Sequence, residues 1–382
     1  MTPPSICTAM LGQAFMGRAH SNAFRQVGPA FAPSLTPRMK TVAGRDAATL
    51  APFAQRMGWE AWTDDWRTIA SDPEVELVDV ATPNHLHREM SIAMLEAGKH
   101  VICEKPLAGT LADARAMRDA ARDAQGKTFV WFNYRRCPAI ALARLLVREG
   151  RLGAIRHVRA RYLQSWGGPE TPHSWRFARE TAGSGAHGDL NAHLVDLARF
   201  LTGEEVDRVH GAVARTFIHE RANPQTGASE KCDVDDCTLF LASFSGGATA
   251  SFEATRLATG HLNGNVIELN GERGSLRFEL EDMNVLHFFD GADAPREAGW
   301  RRILATSPEH HPYIDAWWPD GHIIGYEHTF TNQLADVLCV LAGEEPVQPL
   351  ADFADAYRTQ CVLEAALLSA REGRSVALEE VQ

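Results

Sequence analysis

The sequence contains two short stretches whose side chains could transfer a proton. Residues 101–106 read V-I-C-E-K-P, which places Lys105 directly after an apolar run typical of a buried strand. Residues 182–204 read AGSGAHGDLNAHLVDLARFLTGE, and their spacing puts Asp189 and His193 on one face of a predicted helix, one turn apart. Oxidation of an alcohol needs a base for the hydroxyl proton and a donor that holds the oxygen. Histidine has a suitable unperturbed pKa for the base, and a desolvated lysine suits the second task.

Each stretch also has a purely structural explanation. Lys105 and Pro106 could mark an ordinary strand end and turn, while Asp189 could cap the helix and His193 could fill the core. The glycines between positions 183 and 188 favour the functional explanation, because they allow another group to approach the start of the helix closely.

A glycine-rich segment near the N-terminus has the context of a dinucleotide-binding turn. The segment G-Q-A-F-M-G, residues 12–17, follows a predicted strand and opens a predicted helix. Gly12 can form the tight turn and Gly17 can allow the helix to pack closely on the strand. The middle position, where the backbone approaches a pyrophosphate, is Ala14 rather than glycine.

The predicted cofactor contacts lie along one edge of a parallel sheet. ATPNHLH, residues 81–87, and CEKP, residues 103–106, fall at strand ends on the edge where open α/β sheets bind ligands. The residues expected to contact the cofactor are Gly12, Ala14, Phe15, Met16, Gly17, Arg45, Asp46, Thr82, Pro83, Asn84, His87, Glu104 and Lys105.

The end of the second strand leaves NAD and NADP open as the cofactor. If the strand ends at Gly44, Arg45 can pair with a 2'-phosphate and stack on adenine, which favours NADP. If the strand runs one or two residues further, Asp46 takes the position that accepts hydrogen bonds from the ribose, and NAD is favoured. On balance the pattern around Arg45 favours NADP.

The hydrophobic pattern predicts an α/β protein with an N-terminal doubly wound parallel sheet of the Rossmann type. Nearly continuous apolar runs alternate there with helical stretches of about 10 to 15 residues. The predicted strands are 5–11, 39–44, 75–83, 100–106 and 127–135, and the predicted helices are 12–24, 47–57, 87–98 and 111–124.

From about residue 154 the pattern changes to strand-like runs separated by turns, which predicts an α+β domain with a large, mostly antiparallel, open-faced sheet. Three helices accompany it, at 187–201, 326–341 and 352–371. We expect a cofactor domain over residues 1–136 and a substrate-binding and oligomerisation domain over 137–382, with the C-terminal helices able to pack back on the first domain.

Composition argues against several classes of partner. The chain of 382 residues carries a net charge of -11 and no Lys/Arg block, so it lacks the electrostatic footprint for nucleic acid or an anionic membrane. No apolar run is long enough for a membrane span, and the N-terminus lacks signal-peptide features, so we expect a cytoplasmic protein. The seven cysteines lack zinc-site spacing, and no metal is expected.

Taken together, the glycine-rich start, ATPNHLH, CEKP and GSGAHGDLNAHLVDLARFL resemble the Gfo/Idh/MocA family of sugar and cyclitol oxidoreductases, over essentially the whole chain. FNYRRCPA, YLQSW and SWRF are most similar to its levoglucosan dehydrogenase and inositol dehydrogenase-like branch, which uses NAD. The resemblance implies that Lys105, Asp189 and His193 form the catalytic set and that the Lys105–Pro106 bond is cis. The sequence departs from the family at Ala14, usually glycine, and at His187, usually apolar, which we expect to face substrate or solvent.

The resemblance also implies hydride transfer between NAD(P) and a secondary alcohol of a sugar, anhydrosugar or cyclitol, with His193 taking the hydroxyl proton. Two alternatives are a nucleotide-dependent glycosidase of the same family and a non-catalytic sugar- or nucleotide-binding regulator. The regulator predicts a damaged catalytic set, whereas all three residues are present. The expected substrate contacts are Trp166, Arg176, Asp189 and His193, with His322 as a further candidate. We expect a homodimer or homotetramer formed through CTLFLASF and GATASFEAT.

Overall fold

A computed structural model describes residues 4–382, and the chain divides into two units. The first unit comprises the described residues up to Arg136 together with Asp315–Trp317 and Ile324–Tyr357. The second comprises Cys137–Ile314, Trp318–Ile323 and Arg358–Gln382.

Strands and helices alternate in the first unit, and strands dominate the second. The strands are β1 (Ser5–Leu11), β2 (Thr36–Ala43), β3 (Ala61–Thr63), β4 (Leu77–Val80), β5 (His100–Cys103), β6 (Thr128–Val130), β7 (Ile155–Leu163), β8 (Val206–Arg215), β9 (Glu220–Ala222), β10 (Ser229–Lys231), β11 (Cys237–Phe244), β12 (Thr249–Thr255), β13 (Gly264–Gly271), β14 (Gly274–Glu279), β15 (Val285–Asp290), β16 (Arg301–Leu304) and β17 (Val376–Ala377). The helices are α1 (Phe15–Phe31), α2 (Ala47–Met57), α3 (Arg67–Ala70), α4 (Asn84–Glu96), α5 (Leu111–Asp123), α6 (Pro138–Arg148), α7 (Arg179–Ala182), α8 (Ala192–Thr202), α9 (Tyr326–Leu341) and α10 (Phe353–Glu372).

The first unit is built on a parallel sheet in the order β3-β2-β1-β4-β5-β6. Because the strand order reverses beside β1, the carboxyl edge there is the place where doubly wound sheets bind ligands. The last residues of five strands stand side by side in register: Ala43, Leu11, Val80, Cys103 and Val130. The sheet therefore brings the segments that follow β1, β2, β4 and β5 to one edge.

Helices α1 and α9 pack together in the core of the first unit. Phe24 and Val27 of α1 and Phe330 and Leu334 of α9 share one buried apolar cluster with Trp131, which follows β6. This packing uses a helix from the C-terminal third of the chain to cover the parallel sheet. None of the helices between residues 4 and 382 is both long and apolar enough to cross a membrane.

The second unit is built on a sheet in the order β16-β15-β14-β13-β7-β12-β11-β8-β17. Neighbouring strands are antiparallel except for β7 and β12, which pair in parallel. Helices α6 and α8 pack on this sheet. Along β11, Phe240 and Phe244 are buried while Leu239 and Leu241 are exposed, so the strand alternates between a covered face and an open face. The predicted α/β class with a mostly antiparallel second sheet is confirmed.

Several predicted boundaries were wrong, and the strand predicted at 127–135 is the clearest case. It stops at Val130, and a 3-10 turn follows over Asn133–Arg136. The carbonyl of Val130 accepts from the Gln333 side chain, and its N–H donates to the Ala351 carbonyl, so residues outside the sheet end the ladder. The aromatic residues after Val130 are buried by tertiary packing, which a strand-like pattern cannot distinguish from burial within a strand.

The other elements differ mainly at their ends. Helix α1 continues to Phe31 instead of ending near residue 24, because Val27 is fully buried and extends its apolar face. Strand β2 begins at Thr36 and ends at Ala43, one residue before the predicted end. Helix α4 begins at Asn84 rather than at residue 87. The helix predicted from residue 187 opens with a π-helical turn over His187–Asn191 and becomes α-helical only at α8.

Candidate active site

The turn after β1 requires glycine at both predicted positions. Gly12 has φ +118°, and an added Cβ would overlap the carbonyl of Ala81 at the end of β4. A Cβ on Gly17 would overlap the Gly12 carbonyl. Gly12 therefore forms the expected tight turn against the residue after β4, whereas Gly17 allows α1 to approach the turn itself rather than a strand.

The start of α1 fits an anionic group such as a pyrophosphate. Ala14 is the extended N-cap residue, its side chain provides no capping bond, and the first turn contains no acidic residue. The first backbone N–H groups of a helix need external acceptors, and the helix dipole favours an anion there. Phe15 is 55% exposed at this position. Within residues 4–382, the buried Thr82 Oγ1 has no hydrogen-bond partner, so it too can serve a bound ligand.

The segment after β2 presents both residues on which cofactor choice depends. Strand β2 ends at Ala43, and Arg45 and Asp46 are both exposed. Asp46 is the N-cap of α2, where its carboxylate accepts from the Ala48 N–H at 3.1 Å and from Thr49 Oγ1 at 2.9 Å. The carboxylate has further lone pairs available, because an ionised carboxylate can accept about four hydrogen bonds. The capping role of Asp46 was not predicted.

His87 lies inside the protein rather than on the expected cofactor surface. Its ring is fully buried, with Nε2 2.9 Å from the Thr82 carbonyl and Nδ1 3.1 Å from the Pro106 carbonyl. Burial lowers the pKa of His87. Because both ring nitrogens face backbone carbonyls, His87 joins the segment after β4 to the segment after β5. Pro83 is the N-cap residue of α4, and Asn84 is the first residue of that helix.

Glu104 also has a different environment from the expected cofactor contact. Its carboxylate is buried and accepts from the backbone N–H of Lys105 at 3.0 Å, and it lies 3.0 Å from the ring of His20. Lys105 itself is partly exposed, and the Lys105–Pro106 bond is cis, as the resemblance implied. The end of β5 therefore places an acid inside the protein and a lysine at the ligand-binding edge.

In the second unit, the glycine-rich segment before α8 is fixed by Asp235. The two carboxylate oxygens of Asp235 accept from the N–H groups of Gly185 and His187, each at 2.7 Å. A Cβ on Gly185 would overlap the Asp235 carbonyl, so only glycine fits this contact. Asp235 thus holds the π-helical turn that carries Asp189.

Asp189 forms an ion pair with an arginine that the sequence analysis missed. Arg256 is buried and donates from Nη2 to Asp189 Oδ2 at 3.0 Å, while Arg176 Nη1 lies 4.0 Å from the same oxygen. Arg256 also donates to the carbonyl of Arg176, and its guanidinium lies 5.0 Å from the Trp166 ring centre. Arg256 therefore connects three predicted substrate contacts: Asp189, Arg176 and Trp166.

His193 is buried at the start of α8 beside further polar residues. Its ring centre lies 6.0 Å from that of Tyr162, whose hydroxyl donates to Asn263 Oδ1 at 2.6 Å. Gln164 donates to the same Asn263 oxygen and accepts from the indole N–H of Trp166. This group of hydroxyl, amide and indole side chains suits a ligand rich in hydroxyl groups.

The prediction for His187 was wrong, because the side chain faces neither substrate nor solvent. It is fully buried, donates from Nε2 to the Leu363 carbonyl at 2.9 Å and accepts from the Asn191 amide at 3.0 Å. Burial lowers the pKa of His187, which fits a neutral structural ring. His322 is exposed, and its ring donates to the Pro319 carbonyl.

The missed residues share a recognisable signal only in part. Arg256 directly follows β12, and Lys105 follows β5 with one residue between, so a charged residue just beyond a strand could have indicated Arg256. Asp235 gives no such signal, because its role depends on contacts 48 to 50 residues away. Among the described residues, 4–382, no group of three or more His, Cys, Asp or Glu side chains could hold a metal ion.

Comparison with known proteins gives matches along most of the sequence. Residues 6–132 match an oxidoreductase family with an NAD-binding Rossmann fold, and residues 140–277 match the GFO/IDH/MocA C-terminal domain. A levoglucosan dehydrogenase from Pseudarthrobacter phenanthrenivorans is 39% identical, over 99% of this chain and 99% of that protein.

Solved structures agree with the sequence matches. An oxidoreductase domain protein from Kribbella flavida has a TM-score of 0.93 and 47% identity, covering 98% of this chain and 99% of its own. A levoglucosan dehydrogenase in complex with NADH and L-sorbose has a TM-score of 0.93 and 39% identity, with the same coverage of both chains. The similarity therefore extends over both units.

Proposed function

Because the chain belongs to the Gfo/Idh/MocA family of NAD-binding oxidoreductases, we propose that it oxidises a secondary alcohol of a sugar, anhydrosugar or cyclitol. The observation that carries this proposal is the environment of Asp189 and His193. A fixed π-helical turn presents Asp189 beside a buried arginine, and the start of α8 presents His193 beside a group of hydroxyl- and amide-bearing side chains. The relatives named levoglucosan dehydrogenase support the sugar or anhydrosugar class.

We assign one task to each member of the catalytic set. His193 takes the proton of the substrate hydroxyl, and Lys105 donates a hydrogen bond to the same oxygen. Asp189, which Arg256 holds, accepts a hydrogen bond from the substrate and so orients the substrate. A bound NAD would supply the acceptor for the hydride that leaves the carbinol carbon. The start of α1, Thr82 and the segment after β2 would hold the dinucleotide.

We further propose NAD as the preferred cofactor. The sequence pattern around Arg45 favoured NADP, but that preference has no support from the comparisons, in which the similar dehydrogenase is bound to NADH. Asp46, two residues after the start of this segment at Gly44, is exposed and can accept hydrogen bonds from ribose hydroxyls while it caps α2. Its negative charge would also repel a 2'-phosphate.

The protein is proposed to assemble through the open face of its second sheet. Exposed apolar residues on this face, Val213, Leu239 and Leu241, lie beside Arg159, Arg161, Glu253 and Glu268. In register, Arg161 stands opposite Glu253, and Arg159 stands opposite Glu268. Both charge signs therefore occur on one surface, so a second copy can meet it with complementary charge.

The function is tested by a dehydrogenation screen over anhydrosugars, aldoses and inositols with NAD and NADP. We expect NADH to accumulate together with an oxidised sugar of unchanged connectivity. Lys105→Met provides the matched inactive enzyme, with an expected loss of at least about 100-fold in turnover and near-normal NADH binding. Release of a glycosidic leaving group without net NADH would instead indicate a glycosidase. Tight ligand binding without any turnover would indicate a regulator.

A further inference from the structure

A buried histidine contacts the residue that directly follows β5. His20 is on α1, two residues after the first turn, and its side chain is fully buried. Its Nδ1 lies 2.8 Å from Asp79 Oδ2 on β4, and its Nε2 lies 3.0 Å from Glu104 Oε1. The imidazole ring therefore lies between two buried carboxyl groups, one on β4 and one just after β5.

The remaining oxygens of these carboxyl groups are also engaged. Asp79 Oδ1 accepts from the indole N–H of Trp131 at 3.0 Å, and Glu104 Oε2 accepts from the backbone N–H of Lys105 at 3.0 Å. The Trp131 ring stacks on His20 with ring centres 4.4 Å apart. A continuous network thus leads from α1 through His20 and Glu104 to the backbone of Lys105.

The two carboxyl groups favour a charged ring. A neutral imidazole can donate from only one nitrogen, whereas an imidazolium donates from both and so satisfies Asp79 and Glu104 together. Burial lowers the pKa of His20, but attraction and hydrogen bonds from Asp79 and Glu104 outweigh burial and raise it to about 9. The two aromatic rings that pack against His20, those of Trp131 and Phe330, carry no charge.

We propose that His20 is a positioning residue for catalysis: as an imidazolium it holds Glu104, and Glu104 fixes the backbone from which the Lys105 side chain extends. This inference rests on the proposed role of Lys105 as the residue that holds the substrate oxygen. His20 and Glu104 act through the backbone and need not contact substrate. The network accounts for the acid in V-I-C-E-K-P, which faces into the protein while the neighbouring lysine is partly exposed.

The first test is a double-mutant cycle on the holoenzyme with His20→Gln, Glu104→Gln and the combined variant. His20→Gln should lower kcat by about 30-fold, within the roughly 100-fold that a 1 Å misplacement can cost, while the KM for NAD changes less than about threefold. Adding Glu104→Gln should restore part of kcat, because the second change removes the carboxylate that the first left without a cation. Additive losses would overturn the proposed coupling.

A control variant separates positioning from general loss of stability. Trp59→Phe removes a buried hydrogen bond from the indole to Ser21 Oγ, on the same helix as His20 but outside the network. Trp59→Phe should lower the melting temperature and leave kcat near the wild-type value. A loss of kcat in Trp59→Phe equal to that in His20→Gln would show that any disturbance of α1 has this effect, and would overturn the proposal.

Two further measurements do not depend on turnover, so they separate this inference from the proposed function. Hydrogen–deuterium exchange of residues 100–107 should be at least about fivefold faster in His20→Gln and unchanged in Trp59→Phe. In ¹⁵N-histidine spectra of the wild type, the His20 signal is identified as the one that His20→Gln lacks. It should be that of an imidazolium at pH 7.5 and should titrate near pH 9. A neutral ring at pH 7.5, or unchanged exchange, would refute the positioning role even if the wild type is an active dehydrogenase.

Discussion

In each unit, a charged residue close to the end of a strand carries part of the proposed chemistry. Lys105 follows β5 in the first unit, and Arg256 follows β12 in the second. A strand that is buried along its length reaches solvent only at its end, so a charged side chain there can meet a ligand without losing its hydration entirely. Arg256 is itself buried, and its charge is paired with Asp189 instead.

The role of His193 predicts a particular dependence on pH. If His193 is the general base, alcohol oxidation should be faster as pH rises, because only the neutral ring accepts the proton. His193→Asn should abolish this limb in kcat/KM profiles measured from pH 5.5 to 8.5. A profile that keeps its shape in His193→Asn would transfer the role to another group, first of all Lys105.

The Arg256–Asp189 pair predicts a specific effect on the substrate. Arg256→Gln should lower kcat/KM for the substrate at least about tenfold, because Asp189 then lacks its buried partner and loses its orientation. Arg136→Gln is the matched control, since Arg136 is as buried as Arg256 and forms an ion pair with Asp336 in the first unit. The control should destabilise the fold but leave the substrate KM unchanged. Equal kinetic losses in both variants would show that Arg256 has only a structural role.

Residue types and spacing in the sequence were enough to single out Lys105, Asp189 and His193, because each stands in a short motif. The partners that hold them were out of reach, since they depend on long-range contacts. Arg256 is 67 residues from Asp189, and His20 is 84 residues from Glu104. Nothing local in the sequence distinguishes such a pair from two residues on the surface.

The segment after β2 is proposed to determine which cofactor is preferred. We expect kcat/KM to favour NAD over NADP by at least about tenfold, equivalent to about 1.4 kcal/mol. Asp46→Asn should reduce this preference, because asparagine caps a helix as well as aspartate but lacks the charge. Arg45→Ala is the companion variant and should change the ratio little. A wild-type preference for NADP that disappears in Arg45→Ala would reverse the assignment.

The contribution of His20 to the free energy of unfolding, through its contacts between α1 and the ends of β4 and β5, should depend on pH. The folded-state pKa of His20, about 9, exceeds the ordinary value of 6.5, so its stabilising contribution is complete below about pH 6.5 and is lost as pH rises through 9. The shift corresponds to about 3 kcal/mol. The difference in unfolding free energy between wild type and His20→Gln, measured with urea, should therefore shrink between pH 7 and pH 10. A constant difference would contradict a charged ring.

Element types could be predicted more reliably than element ends. The alternation of apolar runs and helices identified β1, β4 and β5, because strands buried on both faces are largely apolar. The π-helical turn at His187–Asn191 was not predictable, because Asp235 creates it by holding the preceding backbone from 48 to 50 residues away. The Asn133–Arg136 turn depends similarly on contacts of the preceding strand with distant segments.

At the scale of the whole molecule, the proposed catalytic set is divided between the two units, with Lys105 in the first and Asp189 and His193 in the second. Each unit has its own sheet and its own way of fixing its part of the set. In the first, His20 and Glu104 hold the strand end; in the second, Asp235 and Arg256 hold the π-helical turn. Neither unit alone contains both the proposed base and the proposed oxygen-binding lysine.

The open face of the second sheet carries the residues through which copies of the chain are proposed to assemble. Leu239 and Leu241 are 41% and 57% exposed on β11, and the in-register pairs Arg161–Glu253 and Arg159–Glu268 lie on neighbouring strands. Burial of a leucine side chain contributes about 1.5–3 kcal/mol, and a twofold-symmetric interface buries each residue twice. We therefore expect a dimer or tetramer by light scattering at micromolar concentration.

Leu239→Asp combined with Leu241→Asp should shift this assembly towards smaller species, because four carboxylates would enter each twofold interface without partners. Val347→Asp is the control, since Val347 is 51% exposed on a loop of the first unit, and it should leave the molecular mass unchanged. Both leucines point away from the covered face that packs on α6 and α8. The double variant should therefore not destabilise the fold of the individual chain. A wild-type monomer, or an oligomer that the double variant leaves intact, would show that this face is not where copies of the chain meet.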